Sequence, residues 1–369
     1  MTDPVAPVAI IMAGGSGTRF WPASRAQTPK QLTRILGDTT MIQAAVARVQ
    51  PLIPASRILV VTTRALAEAT RRQLPMLDPA HIIAEPVGRD TAAAVALAGL
   101  VARARFPGAV SVLLPADQVI APADAFQDAL RAGIAAAAAG ALVVYGIAPR
   151  HAATGYGYVQ LGDALPGSHG CQRHRVARFV EKPDAATAEG YLRHGGYRWN
   201  SGIFTWRAEV ALAGLERHCP WLIAGLAEVA AALGADGSGL GSAGFASALD
   251  AAYGPLRRIS VDYALMEHAE RIEAITGAFA WDDLGAWDSL YDHLPADADG
   301  MRIAGEAIAV GCRDSLLVRH GGPFIAAAGL DGITVVSTPD AVLVLPRGRG
   351  QEVKRIVERL HAEGRDALL

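Results

Sequence analysis

The chain has 369 residues, a formal net charge of -2 and 51% hydrophobic residues, enough for one large α/β domain with a smaller second one. With no basic stripe or polybasic run, that balance excludes a nucleic-acid partner and a charged membrane surface. Cys171, Cys219 and Cys312 lie far apart with no C-x-x-C spacing, as reduced thiols of a cytoplasmic protein would. The N-terminus lacks a basic region followed by an apolar one, and no apolar span reaches membrane length, so neither secretion nor insertion is expected.

In chain order, Pro7 to Met12 is an apolar run that ends in a glycine cluster, Gly14, Gly15 and Gly17, followed by Thr18, Arg19 and, beyond a proline-punctuated loop, Lys30. A buried strand delivering glycine amides, with fixed positive charge nearby, suits a phosphate, because no Cβ blocks the approach. Phe20 breaks both the Walker register and the dinucleotide fingerprint counted from Gly15. The glycines by themselves fit a tight structural turn equally well.

Helical spacing over Met41 to Val49 is followed by a strand over Arg57 to Thr62, a helix over Arg64 to Leu74 and a strand at Ile82 to Ala84. A helix over Asp90 to Arg105 and a strand over Ala109 to Pro115 complete an alternation typical of a parallel sheet covered on both faces. Ligands then belong beyond the carboxyl ends of the strands. Three of those ends carry unusual residues: the glycine loop, Glu85 to Thr91, and Pro115 to Gln118.

Further strands are predicted at Leu142 to Gly146, at the glycine-aromatic run Thr154 to Val159, and at Arg175 to Val180, which runs into Glu181-Lys182-Pro183. A helix over Ala185 to His194 leads to Trp199-Asn200-Ser201-Gly202. Leu212 to Leu233 reads as helical, Gly234 to Gly244 as a glycine-serine loop, and Ser260 as the N-cap of a helix through Glu267. Ala280 to Trp287 reads as a short strand and turn. From Asp297, five short apolar runs between Gly and Asp turns, Ala307 to Val310, Leu316 to Val318, Phe324 to Ala327, Ile333 to Val336 and Val342 to Leu345, indicate a small β-rich module closed by a helix over Gln351 to Glu363. Its period is irregular for a repeat.

Several residues fit bland roles as well as chemical ones. Asp117 suits a helix cap, Asp283 a turn, Asn200 an Asx-turn and Lys182 a solvated charge. Asp117 and Asp283 together offer two hard oxygen ligands of the kind Mg²⁺ accepts beside water and phosphate oxygens. Adjacent strand residues face opposite ways, so Asp282 and Asp283 do not both reach one ion. His151, His169, His174 and His293 have no ligand spacing.

The string G-G-S-G-T-R-F-W-P-A-S-R followed by P-K-Q resembles the signature of sugar-1-phosphate nucleotidyltransferases, in the form of the mannose-1-phosphate guanylyltransferase branch. E-P-V-G-R-D-T, P-A-D, F-V-E-K-P, W-N-S-G, S-V-D-Y-A-L-M-E and W-D-D-L-G extend the resemblance over nearly the whole chain. It implies a Rossmann-like, GT-A-like, mostly parallel sheet flanked by helices over residues 1–296, and a C-terminal module resembling a left-handed β-helix over 297–369. It further implies GTP and mannose 1-phosphate as substrates and Mg²⁺, or another divalent cation, on Asp117 and Asp283.

By the same resemblance, Gly14, Gly15, Gly17, Thr18, Glu85, Arg89, Asp90 and Thr91 hold the nucleotide, and Gly157, Glu181, Lys182 and Asn200 hold the sugar phosphate. Arg19, Lys30 and Lys182 act on the phosphates. Guanine presents adjacent N1-H and N2-H donors, which a carboxylate such as Glu85 accepts and adenine does not match. Asp90, Ala93, Ala116 and Gln118 stand where the branch usually has Asn, Pro, Ser and His, which leaves the base less defined than the chemistry. A homodimer, formed through either the module or the catalytic domain, is expected, as is a monofunctional enzyme without an isomerase-type domain. A relative using glucose 1-phosphate with UTP or dTTP, a non-catalytic sugar-nucleotide regulator and, more remotely, a nicotinamide dehydrogenase are the alternatives.

Overall fold

The computed structural model describes residues 6–15 and 17–369, and the chain divides into two compact units. The first comprises the segment ending at Gly14, Ala45–Ala116 and Ile120–Trp281; the second comprises Gly15–Ala44, Asp117–Val119 and Asp282–Leu369.

In the first unit, β1 (Val8–Met12), α1 (Met41–Val49, entering from the second unit), β2 (Ile58–Thr63), α2 (Arg64–Gln73), β3 (Ile82–Glu85), α3 (Asp90–Arg105) and β4 (Val110–Pro115) form the alternating half. β1 to β4 are almost wholly buried runs of branched residues, the pattern of strands covered on both faces. α3 is buried on every side from Ala92 to Ala102; alanine lets the helix pack closely all round, and its charges sit only at its ends.

After β5 (Val119–Ala121), where the chain returns to the first unit, come α4 (Ala123–Ala138), β6 (Leu142–Ile147), β7 (Tyr158–Ser168), β8 (Cys171–Val180), α5 (Ala185–His194) and β9 (Tyr197–Arg207). The unit closes with α6 (Ala208–His218), α7 (Pro220–Gly225), α8 (Ala227–Leu233), α9 (Ala243–Tyr253), β10 (Ile272–Thr276) and β11 (Ala280–Asp282).

Nine strands form one sheet in the order β3-β2-β1-β4-β9-β6-β10-β8-β7. The β3-β2-β1-β4 pairings are parallel, as is β6 with β10, and only β9 and β8 run against the rest. The sheet is thus mostly parallel, and the carboxyl ends of β1, β3 and β4 share one edge.

Three expectations need correction. Residues 154–157 precede β7 rather than belonging to a strand, because Gly155 and Gly157 favour a loop there. The span 212–233 is broken into three helices, with Pro220 starting the second, since proline cannot continue a helix interior. The segment beginning at Ser260 is a single π-helical turn, Asp262–Met266, a form frequent at functional sites. Val261 rather than Ser260 stands at its N-cap, with no side-chain cap bond, and Ser260 Oγ accepts the Tyr263 N–H at 3.4 Å.

The second unit holds α10 (Leu290–His293), β12 (Arg302–Ala304), β13 (Ala307–Val310), β14 (Leu316–Arg319), β15 (Ile325–Ala328), β16 (Ile333–Ser337), β17 (Val342–Pro346) and α11 (Val353–Ala362). β14 and β16 pair in parallel with Leu316 opposite Thr334, and β13 and β15 with Ala307 opposite Ile325. Hydrogen bonds from Leu330 N to Cys312 Sγ and from Ile333 N to Ser315 Oγ also join residues 18 apart. That 18-residue coil, preceded by a shorter one in which β12 pairs with β14 with Arg302 opposite Leu316, makes the module a β-helix. Its own core includes Phe20, Trp21, Trp287, Leu316, Val336 and Leu345.

Candidate functional site

In the second unit the glycine loop is built onto the P-K-Q segment. Gly17 has φ +57°, and a Cβ there would stand 2.5 Å from Lys30 Cβ and 2.7 Å from Lys30 N. Only glycine fits both the left-handed backbone and that approach. Ser24 Oγ donates to Gly17 O at 2.7 Å and Gln31 Nε2 to Gly15 O at 2.8 Å, fixing the loop from two sides. A Cβ on Gly15 would meet nothing within 4 Å, so there is open space beside this exposed residue. Ser16, between them, lies outside the described residues.

Thr18 and Arg19 are exposed, and among the described residues Arg19 makes no ion pair. Phe20 and Trp21 of the same string are buried: Phe20 packs on Trp287 with ring centroids 5.0 Å apart, and Trp287 Nε1 donates to Trp21 O at 2.9 Å. The string therefore combines an exposed polar loop with an apolar wedge.

Lys30 is 4% exposed. Its ammonium donates to Asp117 Oδ2 at 3.1 Å and to the main-chain carbonyl of Asp283. Lys30, Asp117 and Asp283 thus converge from three separate segments. Asp282 faces elsewhere: its Oδ1 accepts the Leu284 N–H at 2.6 Å and its Oδ2 lies 3.1 Å from His293 Nε2. Its turn role is filled, and His293, which the sequence leaves without a partner, lies beside it. Among the described residues no group of three or more His, Cys, Asp or Glu is arranged to hold an ion. A divalent cation here would therefore depend on the two aspartates together with substrate phosphate oxygens. Hard carboxylate oxygens, with Asp117 still 42% exposed, fit that donor set.

In the first unit, the expected sugar residues are brought together. Asn200 N donates to Gly157 O at 2.8 Å, and a Cβ on Gly157 would lie 2.5 Å from Glu181 Oε2 and 3.4 Å from Asn200 Nδ2. The pairing of β6 with β9 shifts register between Val144 and Gly146, opposite Asn200 to Phe204. Gly202 takes φ +70° at this bulge, and Asn200 Oδ1 accepts its N–H at 3.0 Å. W-N-S-G thus encodes a bulge that re-aims Asn200; the Asx-turn and the site position are one feature.

Lys182 adopts φ +44° ahead of Pro183, a sparsely populated conformation for a non-glycine residue, and its Nζ lies 2.9 Å from Glu181 Oε1. Burial lowers the Lys182 ammonium, but the hydrogen bond and charge of Glu181, joined by Asp262 and Tyr263, outweigh it and raise the group above its usual range. Tyr156 stacks edge-on against Trp199 and Trp281, and Tyr158 is wholly buried.

Two members of this cluster escape sequence reasoning. Asp262 Oδ1 accepts from Asn200 Nδ2 at 2.9 Å, and Glu267 Oε1 accepts the Glu181 N–H at 3.0 Å. Burial, then the Glu181 charge, pushes the Asp262 carboxyl above its ordinary range. Both belong to S-V-D-Y-A-L-M-E, a string that carries the resemblance but gives neither acid a role.

Glu85, at the end of β3, is 4% exposed and accepts a hydrogen bond from Tyr253 Oη. Arg89 is turned to main-chain carbonyls, Tyr253 O at 3.3 Å and Gly254 O. Asp90 has φ +67° and its Oδ1 accepts the Thr91 N–H at 2.8 Å. Asp and Asn both tolerate that left-handed backbone, so Asp90 keeps the loop's shape. Thr91 Oγ1 accepts the Val261 N–H at 2.8 Å.

Residues 8–300 match the nucleotidyl transferase family, about four-fifths of the chain. The chain belongs to this family. As a nucleotidyl transferase it carries a second match, over residues 305–360, to the mannose-phosphate isomerase/GMP-like β-helix domain. It is 36% identical over 360 residues to the mannose-1-phosphate guanylyltransferase of Escherichia coli strain K12, covering 96% of this chain and 74% of that one. The corresponding Sinorhizobium fredii protein is also 36% identical, over 97% of this chain and 69% of that one. Among solved structures, a mannose-1-phosphate geranyltransferase from Thermus thermophilus superposes with a TM-score of 0.83 at 32% identity, covering 96% of this nucleotidyl transferase and 99% of that chain.

Proposed function

We propose that the protein is a mannose-1-phosphate guanylyltransferase, joining mannose 1-phosphate to GTP to give GDP-mannose and pyrophosphate. The observation that carries the reading is the 36% identity to the E. coli enzyme of that name over 96% of the chain. The assembled Gly157, Glu181, Lys182, Asn200 and Asp262 cluster supports it.

A phosphate oxygen of the sugar phosphate attacks the α-phosphorus of GTP in line. The bond from that phosphorus to the β-phosphate bridging oxygen breaks, and pyrophosphate leaves with the electron pair. The nucleophile is already anionic, so no base is required, and the protein's task is alignment and charge neutralisation. The Gly15 and Gly17 amides and Arg19 hold the departing phosphates, and Lys30 stabilises charge on the transferred phosphoryl group. Lys182 orients the sugar phosphate; Glu181 and Asn200 bind sugar hydroxyls against Gly157. Glu85 accepts the two guanine donors.

Asp117 and Asp283 would hold Mg²⁺ or another divalent cation, which when bound screens the repulsion between the phosphates.

The test is pyrophosphate release with mannose 1-phosphate across GTP, ATP, UTP and dTTP. GTP is expected to give the highest kcat/KM. Preference for UTP or dTTP with glucose 1-phosphate would make the protein a different member of the family, and no turnover with any pair would make it a binding protein.

A further inference from the structure

Glu85 ends β3 with almost no exposed surface, and its two oxygens have different surroundings. Oε1 accepts the Tyr253 hydroxyl, and Oε2 faces the backbone of Gly14, where an added Cβ would lie 3.5 Å away. Tyr253 is the last residue of α9 and is wholly buried. The same residue is held again from the far end of the loop, where Arg89 Nε donates to Tyr253 O at 3.3 Å and Arg89 Nη2 to Gly254 O. The final carbonyls of a helix lack partners within it, and a cation is favoured there. Arg89 fills that need.

We propose that Tyr253 is a positioning residue for base recognition, clamping the loop 85–89 at both ends so that the Glu85 carboxylate is fixed for the purine edge. The proposal rests on the reading of Glu85 as the guanine acceptor. A carboxylate offers about four lone-pair sites on two oxygens; the hydroxyl occupies one on Oε1 and leaves the others for adjacent N1-H and N2-H donors. The clamp continues along the same segment, with Ala92 N donating to Ile259 O at 3.1 Å and Val261 N to Thr91 Oγ1 at 2.8 Å. Arg89 is thereby assigned to the loop's anchorage rather than to a phosphate.

Electrostatics support the geometry. Burial raises the Glu85 carboxyl to about 7, and the Tyr253 hydrogen bond opposes the rise. Burial, followed by the charge of Glu85, drives the Tyr253 hydroxyl far above its ordinary value, so the tyrosine remains the donor and Glu85 is the group that titrates. The groups facing Glu85 are Tyr253 from α9 and the main chain of Gly14; Arg89 is the charge at the loop's other end. Anionic Glu85 accepts guanine and protonated Glu85 does not. Affinity for GTP therefore falls as pH drops below about 7, by roughly tenfold between pH 8 and pH 6 for a single group titrating near 7.

The experiment is steady-state pyrophosphate release by wild type, Tyr253→Phe and Arg89→Gln, with GTP and with ITP, from pH 6 to pH 9. Losing a hydrogen bond to a charged group predicts that Tyr253→Phe raises KM for GTP roughly tenfold or more at pH 7. Its acid limb moves to higher pH, so the deficit narrows at pH 9, while kcat and KM for mannose 1-phosphate stay within about twofold. The GTP-over-ITP preference, which reads the N2 donor, narrows in both variants. Arg89→Gln keeps the Tyr253 ring and tests the clamp independently should Tyr253→Phe fold poorly.

A Tyr253→Phe profile superimposable on wild type with an unchanged GTP-to-ITP ratio overturns the inference while leaving the guanylyltransferase reading intact. Equal weakening of GTP and ITP by Arg89→Gln overturns the clamp in favour of a phosphate contact. A wild type that does not use GTP overturns both the reading and the inference.

Discussion

Replacing Gly17 by alanine should damage the glycine loop far more than the same change at Gly15. At Gly17 the new methyl meets a left-handed backbone, φ +57°, and stands 2.7 Å from Lys30 N and 2.5 Å from Lys30 Cβ. The backbone around Lys30 is held by Leu32 N to Pro29 O at 2.8 Å and Thr33 N to Lys30 O at 3.0 Å, so it cannot easily yield. Left-handed alanine costs about 1–2 kcal/mol and overpacking about 1–3 kcal/mol, together about 2–5 kcal/mol.

At Gly15 an added methyl touches nothing within 4 Å, so a surface-like change of about 0.5 kcal/mol or less is expected. Thermal unfolding with intrinsic fluorescence, followed by GTP kinetics, separates the two variants. Gly17→Ala should melt earlier and lose turnover as Lys30 shifts against Asp117. Gly15→Ala should melt like wild type yet show a raised KM for GTP, because on the proposed reading the phosphates approach its exposed backbone. A Gly17→Ala protein as stable as wild type would refute the packing argument, and a Gly15→Ala protein with unchanged KM would remove the phosphate from that amide.

Two further outcomes follow from the same geometry. Gly157→Ala places a methyl 2.5 Å from Glu181 Oε2 and should raise KM for mannose 1-phosphate with GTP binding unaltered; equal KM values for both substrates in variant and wild type would contradict the sugar assignment. Asp283→Ala should purify with a native circular dichroism spectrum but lose roughly 10²-fold or more in kcat, the scale of one lost electrostatic contact, and near-normal pyrophosphate release would contradict its role.

The alternating half was legible because each β1 to β4 strand is a compact apolar run and α3 has clear ends; α3, and α5 beyond that half, occupy the predicted spans. Five of the β-helix strands were legible one at a time, whereas β12 was not, and the 18-residue offset that pairs β13 with β15 and β14 with β16 was hidden because turns of unequal length separate them. α9 was missed because it begins at the edge of a glycine-serine stretch, and its contribution to the site, Tyr253, makes its contacts 168 and 164 residues away in sequence. Asp262 was similarly hidden, since its partner Asn200 is 62 residues distant. Motif strings revealed the residues that face outward from each loop, whereas the side chains that hold them in place come from elsewhere in the chain and follow no local spacing.

Guanylyl transfer from GTP to mannose 1-phosphate is the reaction that the proposed site serves. Incubation with mannose 1-phosphate and GTP labelled at either the α- or the γ-phosphorus tests it most directly. α-Label is expected in GDP-mannose and γ-label in pyrophosphate, in equal amounts. Recovery of γ-label as inorganic phosphate, or of α-label only in unreacted nucleotide, would contradict it.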